Sequence, residues 1–216
     1  MEAELAKPRR PGRPAGKASE RLDRHILVTA SRLFIENGYA GTSIEQIAAA
    51  AGAGKQTIYR RYASKEDLFK AALTDLGEML LRSAAIAEAS SADALTSLRE
   101  TCRAWLDIAT MPEAIAPYRV LMVDAHRFPS LADYAMDSVA EPFYGVILRL
   151  IRSAREAGQI RRDCDDEVTS RVLSGLLTGW TVKQILLGRV GLTDGAERAA
   201  YFAIAWGIFL NGVVES

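Results

Sequence analysis

The sequence predicts an all-α protein, on three observations. Apolar residues recur at three- and four-residue intervals from Glu20 onward. The periodic segments close on glycine or stop short of proline, and no run of strict alternation bounded by turn residues competes with them. Hydrophobic residues make up 49% of the 216, enough for a sizeable core.

Residues 1–19 stand apart. Pro8, Pro11 and Pro14 lie beside Lys7, Arg9, Arg10, Arg13 and Lys17, so this stretch cannot bury a core and reads as a flexible basic arm. Leu22, Ile26, Ala30, Leu33 and Phe34 then share one helical face that ends at Asn37-Gly38. A second helix opens at Thr42-Ser43-Ile44-Glu45, where the Thr42 hydroxyl can accept from the Glu45 amide and the Glu45 carboxylate can reach back. Its apolar face is Ile44, Ile47, Ala48 and Ala51, and Gly52 ends it. A third helix spans about Lys55 to Tyr62, and a fourth starts at a Ser64 cap and runs on through Leu68, Ala72, Leu76 and Leu80.

Longer helices follow. Leu95, Leu98, Cys102, Trp105, Leu106 and Ala109 share a face that ends before Pro112; Tyr118, Leu121, Met122 and Ala125 share another. Phe143, Ile147, Leu150, Ile151 and Ala154 form a third face, closed by Gly158. Val168, Val172, Leu176 and Trp180 mark a helix stopping at Gly188, and the last helix runs from about Gly195 to Asn211.

The formal charge is zero, yet the charges are segregated. Residues 1–70 hold 13 Lys/Arg against 8 Asp/Glu, and residues 71–216 hold 14 against 19. A basic head on an acidic body suits a polyanion at one end only. Cys102 and Cys164 have no CxxC spacing, which fits a reducing compartment, and Cys164 sits in the negative field of Asp163, Asp165 and Asp166. With only His25 and His126 and no neighbouring thiolate, no metal or cofactor is expected. No apolar stretch follows the basic N-terminus, and the run Ala199–Leu210 falls far short of the ~20 residues of a membrane span, so a cytoplasmic protein is expected.

The informative region is Thr42 to Lys65. Two short helices joined by Ala51-Gly52-Ala53-Gly54 have the length of a helix-turn-helix. On the second, Ile58 and Tyr62 can pack inward, leaving Lys55, Gln56, Tyr59 and Arg60 on the opposite face. Those side chains can reach base edges or phosphates in a major groove; by residue type alone they fit an ordinary solvated face equally well.

The stretch GTSIEQIAAAAGAGKQTIYRRYASKEDLF resembles the N-terminal domain of the TetR family of bacterial regulators, from about Arg21 to Ala72. Ile-Ala in the second helix, Gly52, the Thr57-Ile58-Tyr59 step, Tyr62 and the Lys65-Glu66-x-Leu68-Phe69 run are all in place; Gly54 stands where the family usually has Ser or Thr. The resemblance implies a DNA-binding head over 20–70 and a ligand-binding and dimerisation body over 71–216, joined by the long fourth helix. It implies that Thr42, Tyr59 and Lys65 touch phosphates, that Lys55, Gln56 and Thr57 face bases, and that Arg60 and Arg61 lie along the DNA backbone. A phosphate at Lys65 would also explain a cation in the first turn of a helix. In the arm, Gly12-Arg13-Pro14 resembles the core of AT-hooks, which would put Arg13 in a minor groove; the alternative is a solubilising tail.

The resemblance further implies a four-helix dimer interface from the last two helices, about 165–188 and 195–212. The final helix is apolar nearly all round and needs burial on more than one side, so Leu176, Trp180, Phe202, Trp206 and Phe209 are expected at that interface. A monomeric core covering both faces is the alternative. Tyr118 to Gly158, with its Ala125–Pro129 turn, looks like the AefR-type branch. Trp105, Met122, His126, Tyr134, Phe143 and Tyr144 are candidates to line a ligand pocket, each with plain core as its alternative, and Gly77 is a place where the fourth helix can bend.

The expectation is a sequence-specific transcriptional regulator acting as a homodimer: a repressor released from a palindromic double-stranded operator by a small, largely apolar effector. A helical ligand carrier or adaptor is the alternative. The sequence has no nucleophile elbow, phosphate-binding glycine loop or HExxH, so an enzyme is not expected.

Overall fold

A computed structural model describes residues 15–189, 192 and 194–214, and among them no strand forms. The elements are α1 (Ala15–Gly41), α2 (Ile44–Ala50), α3 (Lys55–Arg61), α4 (Lys65–Ser90), α5 (Ala94–Ala109), α6 (Pro112–Asp124), α7 (Pro129–Ala135), a π-helical turn (Met136–Ala140), α8 (Glu141–Glu156), α9 (Asp166–Ser174), a second π-helical turn (Gly175–Gly179), α10 (Trp180–Leu186) and α11 (Gly195–Val213). No described helix is long and apolar enough to cross a membrane.

Helix α1 starts inside the stretch predicted to be a flexible arm through residue 19. No proline follows Pro14 to stop it, and Ser19 and Asp23 are both held by Arg61 of α3. Its apolar face is buried at Ile26, Ala30, Leu33 and Phe34. The helix breaks at Gly38, whose φ of 72° is one that few side chains tolerate.

Thr42 and Ser43 can each open a capping box, and Ser43 is the cap. Its hydroxyl accepts from the Gln46 amide at 3.2 Å, while the Gln46 side chain accepts from the Ser43 amide at 2.8 Å. The predicted Thr42 cap is therefore one residue early. The Thr42 hydroxyl instead turns inward to the carbonyls of Leu33 and Gly38, at 3.1 and 2.8 Å, and ties α2 to the end of α1. Helix α2 buries Ile44, Ile47 and Ala48 and leads to Gly52 in the left-handed region, φ 59°.

Helix α4 begins at the Ser64 cap, whose oxygen accepts from the Asp67 amide at 3.0 Å, and runs unbroken to Ser90. It is shared between head and body. Leu68, Phe69 and Leu73 join the head core, while Leu80, Ala84 and Ala87 pack into the body against α5 and α8. The helix passes through Gly77 without a break. A Cβ there would lie 3.4 Å from both methyls of Val139, so the missing side chain lets the first π-helical turn approach α4 closely.

In the body, α5 buries Leu98, Cys102, Trp105 and Leu106, and α8 buries Phe143, Ile147, Leu150, Ile151 and Ala154, the face its sequence predicts. Helix α6 differs. It buries Ala116, Pro117, Val120 and Asp124, and packs on α1, while Tyr118 and Met122 stay partly open to solvent. Helix α11 buries Phe202, Ala205, Trp206, Phe209 and Val213 within the chain's own core.

Candidate nucleic-acid interface and body cavity

Helix α3 has two unlike faces because only one can reach the head core. Ile58 is fully buried, and Tyr62, the residue after the helix, packs against that core. Lys55, Gln56, Tyr59 and Arg60 are exposed and Thr57 is half-buried, so the predicted recognition face points outward as one surface. The Lys55 ammonium pairs with the Glu45 carboxylate of α2 and lies 5.6 Å from the centre of the Tyr59 ring. The hydrogen bond between them holds Glu45 below its ordinary carboxylate value and raises Lys55. Sequence reasoning passed over Glu45, although its place one helix away from Lys55 in a helix-turn-helix is the available signal.

Three residues assigned to DNA contact are engaged inside the head. The Thr42 side chain is buried and its hydroxyl is spent on two carbonyls, so it does not face a phosphate. Arg61 turns back rather than along a duplex: its guanidinium pairs with Asp23 and reaches Ser19 Oγ at 3.1 Å, clamping α3 to α1. Lys65 donates to the carbonyls of Tyr39 and Thr42 at 2.7 and 2.9 Å and lies 4.4 Å from the centre of the Tyr39 ring. Those carbonyls account for a cation at the start of α4, and burial pushes its ammonium below the ordinary lysine value. Arg13 lies outside the described residues.

Tyr39 joins head to body. Its ring packs on Phe34 and Phe69 and, at 4.9 Å edge-on, on Phe128 from the loop before α7. Burial, then the charges of Glu66 and Asp67, push its phenol up to about 12. Across the same junction Ser130 donates to Glu66 at 3.2 Å, and the hydroxyls of Tyr134 and Thr74 pair at 2.7 Å.

The body contains a cavity of about 460 Å³. Its walls come from α4 (Leu76, Leu80), α5 (Trp105, Ile108, Ala109), α6 (Ala114, Tyr118, Met122), the first π-helical turn and α8 (Val139, Ala140, Phe143, Tyr144), and the second π-helical turn with α10 (Thr178, Gly179, Val182, Lys183, Leu186). Trp105, Met122, Phe143 and Tyr144 were expected there. His126 and Tyr134 were also expected and do not line it. His126 is exposed in the turn after α6, and Tyr134 faces α4, where its hydroxyl meets Thr74 and its ring meets Lys70. The ring of Trp105 meets Phe143 at 5.2 Å and Tyr144 at 6.0 Å, so the cavity has an aromatic wall.

The outer faces of the last helices are apolar and uncovered. Val168, Val172, Trp180 and Leu187 are exposed on α9–α10 and just beyond, and Ile204 and Ile208 on α11. Phe202, Trp206 and Phe209, expected at a dimer interface, are at most 6% exposed and belong to the internal core. Leu176 is half-buried, and Trp180 is 51% exposed.

A helix-turn-helix with an outward polar recognition face, carried on a helical body, is the architecture of a DNA-binding regulator. Residues 26–72 match the family described as bacterial regulatory proteins, tetR family, and residues 96–212 match the AefR-like transcriptional repressor, C-terminal domain. The second match alone spans more than half of the chain, and the chain belongs to the TetR family of bacterial regulatory proteins. The HTH-type transcriptional activator FasR of Mycolicibacterium smegmatis is 30% identical over 112 residues, 49% of this chain and 51% of that protein. The chain thus spans about half the length of that curated relative. A TetR-family transcriptional regulator from Mesorhizobium loti superposes with a TM-score of 0.73 at 24% identity, covering 91% of this chain and 98% of the other. FadR of Bacillus subtilis, solved in complex with stearoyl-CoA, superposes with the same TM-score of 0.73 at 15% identity, covering 88% and 98%. Both structures share the fold.

Proposed function

We propose that the chain is a sequence-specific DNA-binding transcriptional repressor that acts as a homodimer and leaves a palindromic operator when a small, largely apolar effector fills its body cavity. The observation that carries the DNA-binding half is α3 itself: Ile58 anchors one face in the head core while Lys55, Gln56, Tyr59 and Arg60 project together from the other. The Gln56 side chain is exposed on that face, and an amide can pair bidentately with adenine in the major groove. Tyr59, Arg60 and the third N–H of Lys65 are suited to phosphates, which set register without reading sequence. Lys55 must leave Glu45 to reach a base.

Two copies joined through the exposed apolar faces of α9–α10 and α11 present two heads about one helical turn of DNA apart, ~34–36 Å. The repressor sign follows the AefR-like match; FasR is named an activator, so promoter output in cells lacking and carrying the protein fixes the sign. The effector half rests on the cavity. Its wall includes Val139 and Ala140 of the first π-helical turn, which connects through α7 to Phe128, and Phe128 packs on Tyr39 beside the Lys65 pin. A ligand that displaces the π-helical turn therefore has a packed route to the head. The stearoyl-CoA complex of the structurally similar FadR supports a body of this shape as a ligand holder.

The test is a titration of duplex operator with wild type, Gln56→Ala and Tyr59→Ala. Tyr59→Ala should weaken binding to all sequences alike. Gln56→Ala should relax preference at one or two base pairs, by about 1–3 kcal/mol of discrimination. A Gln56→Ala protein with unchanged affinity and unchanged preference would remove α3 as the reading element.

A further inference from the structure

The cavity lining carries a single charged side chain, and it has no ion-pair partner among the described residues of one chain. Among its lining residues only Lys183 has a basic or acidic side chain; the rest are glycine, apolar, aromatic or hydroxyl-bearing. Two of the hydroxyl groups are already engaged with Ser174: Thr178 donates to its carbonyl at 3.0 Å, and the Tyr144 hydroxyl meets its Oγ at 3.2 Å. Lys183 forms no ion pair among the described residues. Nor can its own helix supply one, because residues 175–189 contain no Asp or Glu, and the positions three and four away are Gly179, Trp180, Leu186 and Leu187. It is exposed, whereas Trp105 and Phe143 of the same lining are buried, which puts it toward the mouth.

We infer that the cavity takes an amphiphile: an apolar chain or ring system along the aromatic wall and one anionic end, a carboxylate or phosphate, held at the mouth by Lys183. The inference rests on the cavity being the effector site and adds the chemical class that the site selects. An unpaired ammonium beside low-dielectric walls attracts an anion more strongly than one in open water does, and it offers nothing to a neutral chain of the same length. Lys183 is thus a specificity residue, and the attraction should weaken as salt is raised.

The experiment is calorimetric titration of the full chain with decanoate, decan-1-ol and decylammonium, each below its aggregation limit. Wild type should bind decanoate about tenfold more tightly than decan-1-ol, equivalent to about 1.4 kcal/mol. Lys183→Met should lose that factor for decanoate and leave decan-1-ol within twofold. Lys183→Glu should invert the preference toward decylammonium. Ala109→Phe, which places a ring in the cavity, should abolish binding of all three. Equal affinity of wild type for decanoate and decan-1-ol, or a Lys183→Met protein indistinguishable from wild type, would overturn the anionic end while leaving the apolar cavity as the effector site. Absence of binding by any probe, or binding indifferent to Ala109→Phe, would overturn both.

Discussion

Arg61, Thr42 and Lys65 show how polar side chains of a recognition head can hold the head itself together. Each has polar atoms committed to the head: Arg61 to Asp23 and Ser19, Thr42 to Leu33 and Gly38, Lys65 to Tyr39 and Thr42. Arg61→Ala should therefore lower the stability of the head by about 1–2 kcal/mol, since it removes a charged hydrogen bond and leaves Asp23 without its partner. Sequence preference on DNA should not change, and thermal melting together with a binding titration reads both. A variant that melts like wild type and binds DNA weakly would return Arg61 to the DNA surface. At this scale the sequence was legible where a side chain's fate follows from its helix face, as for Gln56, Tyr59 and Ile58. It was not legible for Arg61 and Lys65, whose partners lie 38 and 26 residues away and are brought close only by the packing of α3 and α4 on α1.

Elements fared better than contacts, and their misses have local causes. Two overlapping capping boxes, Thr42–Glu45 and Ser43–Gln46, fit the same pattern, and only the burial of Thr42 beneath α1 decides between them. Helix α7 and both π-helical turns escaped notice because a short helix and an extra residue per turn leave no clean period in apolar positions. Gly77 was visible as an anomaly, but its packing was not: it faces the methyls of Val139 in the first π-helical turn. This has a consequence for signalling. Gly77→Leu should push the π-helical turn away and cost about 1–3 kcal/mol. Phe128→Ala removes the ring that rests on Tyr39 and should leave decanoate binding intact while reducing its effect on DNA affinity. Because coupling is reciprocal, operator should then also lose its effect on decanoate affinity. Calorimetry with and without operator measures this. Undiminished coupling in Phe128→Ala would place the route elsewhere, for instance through α6, which packs on α1.

For the molecule as a whole, the all-α class, the helix-turn-helix and the apolar last helix were readable in order along the chain. Which sector of α11 faces inward was not, since an apolar residue at every position erases the phase of the pattern. The structure supplies it: Phe202, Trp206 and Phe209 inside, Ile204 and Ile208 outside. Trp180→Asp and Ile208→Asp should give folded monomers with sharply reduced operator affinity, whereas Phe209→Asp should fail to fold. Sedimentation with circular dichroism separates the two outcomes, and a wild-type monomer at micromolar concentration would contradict the proposed dimer.

Two copies of α3 reading duplex DNA across a two-fold axis must select a symmetric site, and in vitro selection measures this. Purified protein is mixed with a pool of duplexes carrying a random central segment, bound molecules are recovered and amplified over several rounds, and the enriched sequences are read. The expected product is an inverted repeat with half-sites about one helical turn apart, ~10 base pairs centre to centre, whose most constrained positions relax in Gln56→Ala. A pool that emerges with no common sequence, or with a single half-site and no symmetry, would contradict it.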